Sequence, residues 1–113
     1  MKLQSHEHFT IERRRQGETQ EDAAARHGVS QGCISQWETG ARGLPADLRK
    51  KFPARAVKME PEEDLFVLMA RAGLKLPDAQ VFFSVDLRTL YRWLKAEQKI
   101  PPGAFEMLEE RLK

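Results

Sequence analysis

The sequence predicts an all-α protein made of two small units of about four helices each, residues 1–56 and 57–113. Three observations carry that expectation. Alternating apolar and polar residues never persist and β-branched residues are few, which leaves little to build strands from. Apolar residues recur instead at helical spacing between glycines, prolines and capping residues. The pattern of the first half then returns in the second at one constant offset, the one that carries Gly17 to Gly73.

Phe9 to Gln16 reads as a short charged helix closed by Gly17, because glycine tolerates the backbone conformation that commonly follows a helix end. Thr19, with Asp22 three residues on, makes a capping-box-like start for Gln20 to His27. Gly28 suits a residue of positive φ, and Ser30 is a good N-cap for Gln31 to Thr39, which Gly40 ends. Pro45 opens a fourth helix, Pro45 to Phe52, at the first-turn position where its missing N–H costs no hydrogen bond. Phe52 to Glu62, with Pro53 and Pro61 near its ends, reads as a linker.

Past the linker, the same offset carries Arg15 to Arg71, Asp22 to Asp78 and Ala23 to Ala79. It also carries Val29 to Val85, Trp37 to Trp93 and Pro45 to Pro101. Conservative pairs fill in between: Phe9 with Leu65, Ile11 with Val67, Ile34 with Leu90, Leu44 with Ile100. The matches need no gap and fall on structural punctuation and core positions, which favours one unit written twice over chance similarity. Units of this size fold alone only marginally, so each is expected to lean on the other.

Composition narrows the class. A hydrophobic share of 41% opposes wholesale disorder, and 32% charged residues with no long apolar run oppose a transmembrane helix. The opening MKLQSHEHF lacks the apolar core of a secretory signal, so a cytoplasmic protein is expected. The single cysteine, Cys33, fits a reducing compartment and excludes an internal disulfide. Residues 1–56 carry ten basic and seven acidic side chains, and residues 57–113 carry nine and ten. That surplus in the first half suits a polyanion-binding surface but is too small to argue one alone.

The chemistry concentrates in GETQEDAAARHGVSQGCISQWETG. Ala23 and Ala24 are small enough to let the second and third helices approach closely, while Val29, Ile34 and Trp37 turn inward to form a small core with Ile11. Gln31, Gly32, Ser35, Gln36 and Thr39 share the opposite face at helical spacing. That face is polar and uncharged, and its amides and hydroxyls both donate and accept hydrogen bonds. Such a surface can enter a DNA major groove, where glutamine bonds adenine bidentately.

Over about Phe9 to Phe52 the chain resembles the phage repressor and Cro-like helix-turn-helix family, also called the xenobiotic-response-element type. The resemblance rests on Thr19-Gln20, the alanines of the second helix, Gly28-Val29-Ser30, Ile34-Ser35-Gln36-Trp37-Glu38 and Gly40. It implies tandem helix-turn-helix units, the second of them degenerate, and double-stranded operator or promoter DNA as partner. It further implies that Gln31, Gly32 and Gln36 meet base edges. Gln20 would touch phosphate and brace Gln31, and Ser35, Thr39 and Arg42 would approach the DNA backbone. Gly32 departs from the larger side chain usual there, so its base would be read weakly. The implied function is a sequence-specific transcriptional regulator, a repressor of phage or mobile-element type. Arg13, Arg14 and Arg15 read either as added electrostatic attraction or as a solvated helix face.

The second unit keeps the scaffold and changes the face: Gln20 becomes Leu76, Gln31 becomes Leu87 and Gly28 becomes Ser84. Arg88, Arg92, Lys95 and Lys99, with Tyr91 beside them, recur at spacing expected to make a basic stripe on the would-be recognition helix. Three explanations remain open. The unit contacts DNA differently, making a single chain a pseudo-dimer over two half-sites; it is an interface that buries Leu87, Phe82, Phe83 and Leu94 against the first unit or against another copy in a homodimer; or the stripe is solvated. A linker of about ten residues reaches at most ~33–36 Å, and adjacent half-sites lie roughly 34–36 Å apart. Geometry permits simultaneous binding without requiring it.

Other constellations are weaker. His6 and His8 lack partners for a metal set and read as part of a flexible amino-terminal tail. His27 reads as a capping or surface residue, and Cys33 as simple packing rather than a redox sensor. No glycine-rich phosphate loop, nucleophile elbow or carboxylate pair stands out, so no catalytic residue, enzyme activity or cofactor is expected. Glu60, Glu62, Glu63 and Asp64 read as the acidic start of a helix. An antitoxin-type autoregulator and a protein-binding adaptor on the same scaffold stay open as other functions.

Overall fold

The computed structural model describes residues 1–113 and is all-α apart from one pair of two-residue strands. It divides into two compact units, Met1–Lys58 and Met59–Lys113. No helix is long and apolar enough to cross a membrane.

The first unit holds β1 (Lys2–Leu3), α1 (Ser5–Arg15), α2 (Gln20–His27), α3 (Gln31–Thr39), α4 (Ala46–Lys51) and β2 (Arg55–Ala56). α1 begins at Ser5, a turn before the expected Phe9. The Gln4 N–H donates to Glu7 Oε1 at 2.9 Å, a reciprocal cap that the unusual capping residue conceals. α4 is shorter than expected because Pro45 caps it from outside and Phe52 leaves helical geometry.

The amino terminus is not a loose tail. β1 pairs antiparallel with β2, Lys2 opposite Ala56 and Leu3 opposite Arg55, and the terminal ammonium donates to the Val57 carbonyl at 3.1 Å. Leu3 is fully buried. His8 is buried too, its Nδ1–H donating to the Pro53 carbonyl at 3.0 Å while the ring meets Phe52 edge-on. The first part of the expected linker is therefore structured. Phe9, Ala23, Ala24, Ile34, Trp37, Leu44, Leu48 and Phe52 form the core, with Val29 and Cys33 packed against it. Ile11 is fully buried but lies outside that cluster, contrary to its expected place beside Trp37.

The second unit comprises α5 (Pro61–Arg71), α6 (Leu76–Phe83), α7 (Leu87–Leu94) and α8 (Pro102–Arg111). Under the offset that carries Gly17 to Gly73, α5 and α6 coincide with α1 and α2 at both ends, and α7 and α8 start where α3 and α4 do. The core positions correspond as well: Leu65, Ala79, Leu90, Trp93, Ile100 and Leu108 are all buried. The left-handed residues correspond too. Gly28 (φ 67°) and Gly40 (φ 83°) have as counterparts Ser84 (φ 55°) and Ala96 (φ 59°), which hold the same turn despite their Cβ atoms.

Candidate nucleic-acid interface

α2, a three-residue turn and α3 carry the predicted face. Thr19 caps α2, its hydroxyl accepting from Asp22 N–H while its own N–H donates to the Asp22 carboxylate. Those bonds hold the exposed Asp22 carboxyl below the usual carboxylate range. Gly28 ends α2 in the left-handed conformation, Val29 N–H returns to the Ala24 carbonyl, and Ser30 Oγ accepts from Cys33 N–H. Ala23 and Ala24, both buried, supply the close approach that lets α3 seat Ile34 and Trp37 in the core. The Phe9 ring meets Trp37 edge-on at 6.2 Å.

With its apolar side fixed, α3 presents Gln31, Gly32, Gln36 and Thr39 to solvent, with Ser35 half-buried between them. The side-chain amides of Gln31 and Gln36 hydrogen-bond to nothing else in the protein. Gly32 is helical and unconstrained, since a Cβ built on it would meet only Ser30 Oγ at 3.8 Å. Thr39 Oγ1 donates to the Gln36 carbonyl and accepts from Ala41 N–H, bracing the end of the helix. Arg42 is exposed, its guanidinium 3.4 Å from Cys33 Sγ.

Two predicted roles change. Gln20 does not brace Gln31: its Nε2 donates to Glu38 Oε1 at 3.0 Å. Arg13 is neither a free attractor nor a solvated charge. It is nearly buried and grips both oxygens of the Glu38 carboxylate, at 2.6 and 3.1 Å, while donating to the Glu18 carbonyl at 2.6 Å. Arg13, Gln20 and Glu38 thus clasp α1, α2 and α3 together at the flank of the exposed face. The sequence signal is the spacing of Arg13 four residues after Phe9, which places it on the core side of α1. Arg15 is engaged as well, with Glu12 and the Lys58 carbonyl.

His27 is not a surface cap. Its ring lies 5.8 Å from Phe9 and 6.0 Å from Trp37, and its Nε2 is buried without a partner. Burial, aided by the nearby Arg26 and Lys51 cations and opposed by Glu18 and Asp47, lowers its pKa and favours the neutral ring.

In the second unit, Leu87, Arg88, Tyr91 and Arg92 are exposed on α7, and Lys95 caps its end. Lys99 does not continue the stripe. Ala96 turns the chain into the left-handed region one residue past the cap, so Lys99 lies in the loop leading to α8. Phe82 and Phe83 are half-buried and engaged within the unit, Phe83 against Trp93 and Phe82 beneath Arg111. Compared with known proteins, the chain matches no protein family, no curated protein and no solved structure.

Proposed function

We propose that the first unit binds double-stranded DNA by sequence, inserting α3 into the major groove. The observation that carries this reading is the exposed polar face of α3, whose Gln31 and Gln36 amides have no partner in the protein while Ile34 and Trp37 anchor the opposite side in the core. Gln31 and Gln36 hold their amides outward, matching the paired donor and acceptor that adenine offers in the groove. Gly32 brings backbone close to a base pair, and Ser35, Thr39 and Arg42 flank the face where phosphates would run. Gln20 supports the face through its bond to Glu38. The α3 N-terminus adds unpaired N–H groups suited to phosphate.

The role proposed for it is that of a regulator that blocks transcription by occupying an operator. The phage or mobile-element character rests on the resemblance to repressor and Cro-like proteins. Selection from a pool of randomised duplexes tests the reading. A recovered consensus that the chain protects from nuclease over one major groove supports it, and recovery of no consensus at low salt refutes it.

A further inference from the structure

The two units carry different chemistry at equivalent positions. Passing from α3 to its counterpart α7 replaces Gln31 by Leu87, Gly32 by Arg88, Ser35 by Tyr91, Gln36 by Arg92 and Thr39 by Lys95. The helix keeps its starting point, its N-cap and its buried side: Asp86 Oδ1 accepts from Thr89 N–H at 2.8 Å, and Leu90 and Trp93 are buried. The outward face passes from neutral hydrogen-bonding groups to three cations with Leu87 and Tyr91 beside them, and the nearly buried Glu38 gives way to Leu94.

We infer that this α7 face, Arg88, Arg92 and Lys95 around Tyr91, is a phosphate-gripping surface that adds sequence-independent affinity for the DNA read by the first unit. The inference rests on the DNA-binding reading of α3. Three features carry it. Arg88 and Arg92 make no hydrogen bond or ion pair with the protein, whereas Arg13, Arg15 and Arg26 in the first unit are all engaged. The three cations lie four and three residues apart, on one side of the helix, and span about 10 Å of its axis. They line an open groove with Leu87, Tyr91 and Glu97 rather than scattering around the helix.

The ring of Tyr91 lies 5.9 Å from Lys95 Nζ, which holds the ammonium over the groove, and the phenol can donate to a phosphate oxygen. Glu97, at the groove's edge, is the one acidic residue lining it. Asp86 caps the start of α7, and its bonds to Thr89, joined by the nearby Arg88 and Arg92 charges and opposed by burial, hold its carboxyl below the usual carboxylate range without a direct ion pair to either arginine. Charge complementarity therefore selects a polyanion over an apolar partner, and a duplex backbone supplies regularly spaced phosphates.

The test uses the full chain and Arg88→Gln/Arg92→Gln/Lys95→Gln, with fluorescence anisotropy on a labelled duplex of the selected site and on a scrambled one. Affinities are measured between ~50 and ~200 mM salt, where each phosphate contact contributes about −0.9 to the slope of log affinity against log salt. The triple variant is expected to lose about 2.7 of slope, so its affinity falls ~40-fold less over that four-fold range. Its preference for the selected duplex over the scrambled one stays unchanged. Arg88→Lys/Arg92→Lys keeps the wild-type slope, because a point charge suffices for phosphate.

An unchanged slope in the glutamine variant overturns the inference. So does an unchanged slope accompanied by a shift from dimer to monomer in sedimentation, which would make the face a seam between two copies. Failure of the α3 reading appears separately, as equal affinity of the wild-type chain for the two duplexes.

Discussion

Replacing Glu38 by leucine would leave a buried guanidinium facing an apolar side chain. Arg13 and Glu38 are 9% and 6% exposed, so the solvent screening that makes surface ion pairs nearly worthless does not apply. Arg13 would lose two of its three bonds, keeping the one to the Glu18 carbonyl, and Gln20 Nε2 would lose its acceptor. Removing one partner of such a pair costs about 3–5 kcal/mol, a large fraction of the stability of a small domain.

The second unit carries no charge at the equivalent positions. The counterparts of Arg13, Gln20 and Glu38 are Met69, Leu76 and Leu94, all three apolar. Arg13→Met/Gln20→Leu/Glu38→Leu should therefore fold at least as well as the wild type, and be up to about 1–4 kcal/mol more stable. Urea unfolding followed by Trp37 fluorescence in a Trp93→Phe background reports on the first unit. The Trp93 indole N–H has no partner, so that background breaks no hydrogen bond. A single Glu38→Leu variant within about 1 kcal/mol of the wild type, or a triple variant as unstable as the single one, would refute the reasoning.

Further outcomes follow from individual residues. Gly32→Ala should raise the stability of the first unit by up to about 1 kcal/mol, since alanine is the better helix former and its Cβ has room. The same change should weaken preference for the selected site, and unchanged preference in anisotropy would free Gly32 of any part in base reading. His27 has a folded pKa below its unfolded value of 6.5, so the unfolded chain binds the proton more readily. The stability that its neutral ring contributes is present above pH 6.5 and is lost as pH falls from there through the depressed folded pKa. His27→Phe, matching Phe83 in the second unit, should flatten that pH dependence in urea titrations, and an unchanged profile would place it elsewhere. Ser84→Gly and Ala96→Gly should each stabilise the second unit by on the order of 1 kcal/mol by relieving a left-handed backbone. Thermal unfolding followed by Trp93 in a Trp37→Phe background checks them, and a loss of stability in both would count against strain at these turns.

What the sequence discloses depends on whether the determining contact is local. α2 and α3 are legible to the residue because Thr19, Gly28, Ser30 and Gly40 mark their ends by side-chain chemistry or by the need for positive φ. The start of α1 is hidden because Gln4 is not a preferred cap, although Glu7 at the third helical position is a usable signal. The β1–β2 pair joins residues more than fifty apart, and two-residue strands carry no pattern of their own. Arg13 looks like surface charge when grouped with Arg14 and Arg15, and only its spacing from Phe9 points inward. His27 is obscure for a related reason: its partners, Phe9 and Trp37, come from two other helices. Lys99 looks like part of the stripe because Ala96 gives no hint of the left-handed turn that ends the helix. The exposed face of α3 is legible as a surface because helical periodicity decides which side the core claims.

The claim that α3 reads DNA is tested most directly by Gln31→Ala and Gln36→Ala, measured on the selected and scrambled duplexes at one salt concentration. Each variant should lose about 1–3 kcal/mol of discrimination, as expected for one bidentate amide contact to a base, while its affinity for the scrambled duplex holds. Two glutamine variants that distinguish the duplexes as well as the wild type does would show that this face reads nothing.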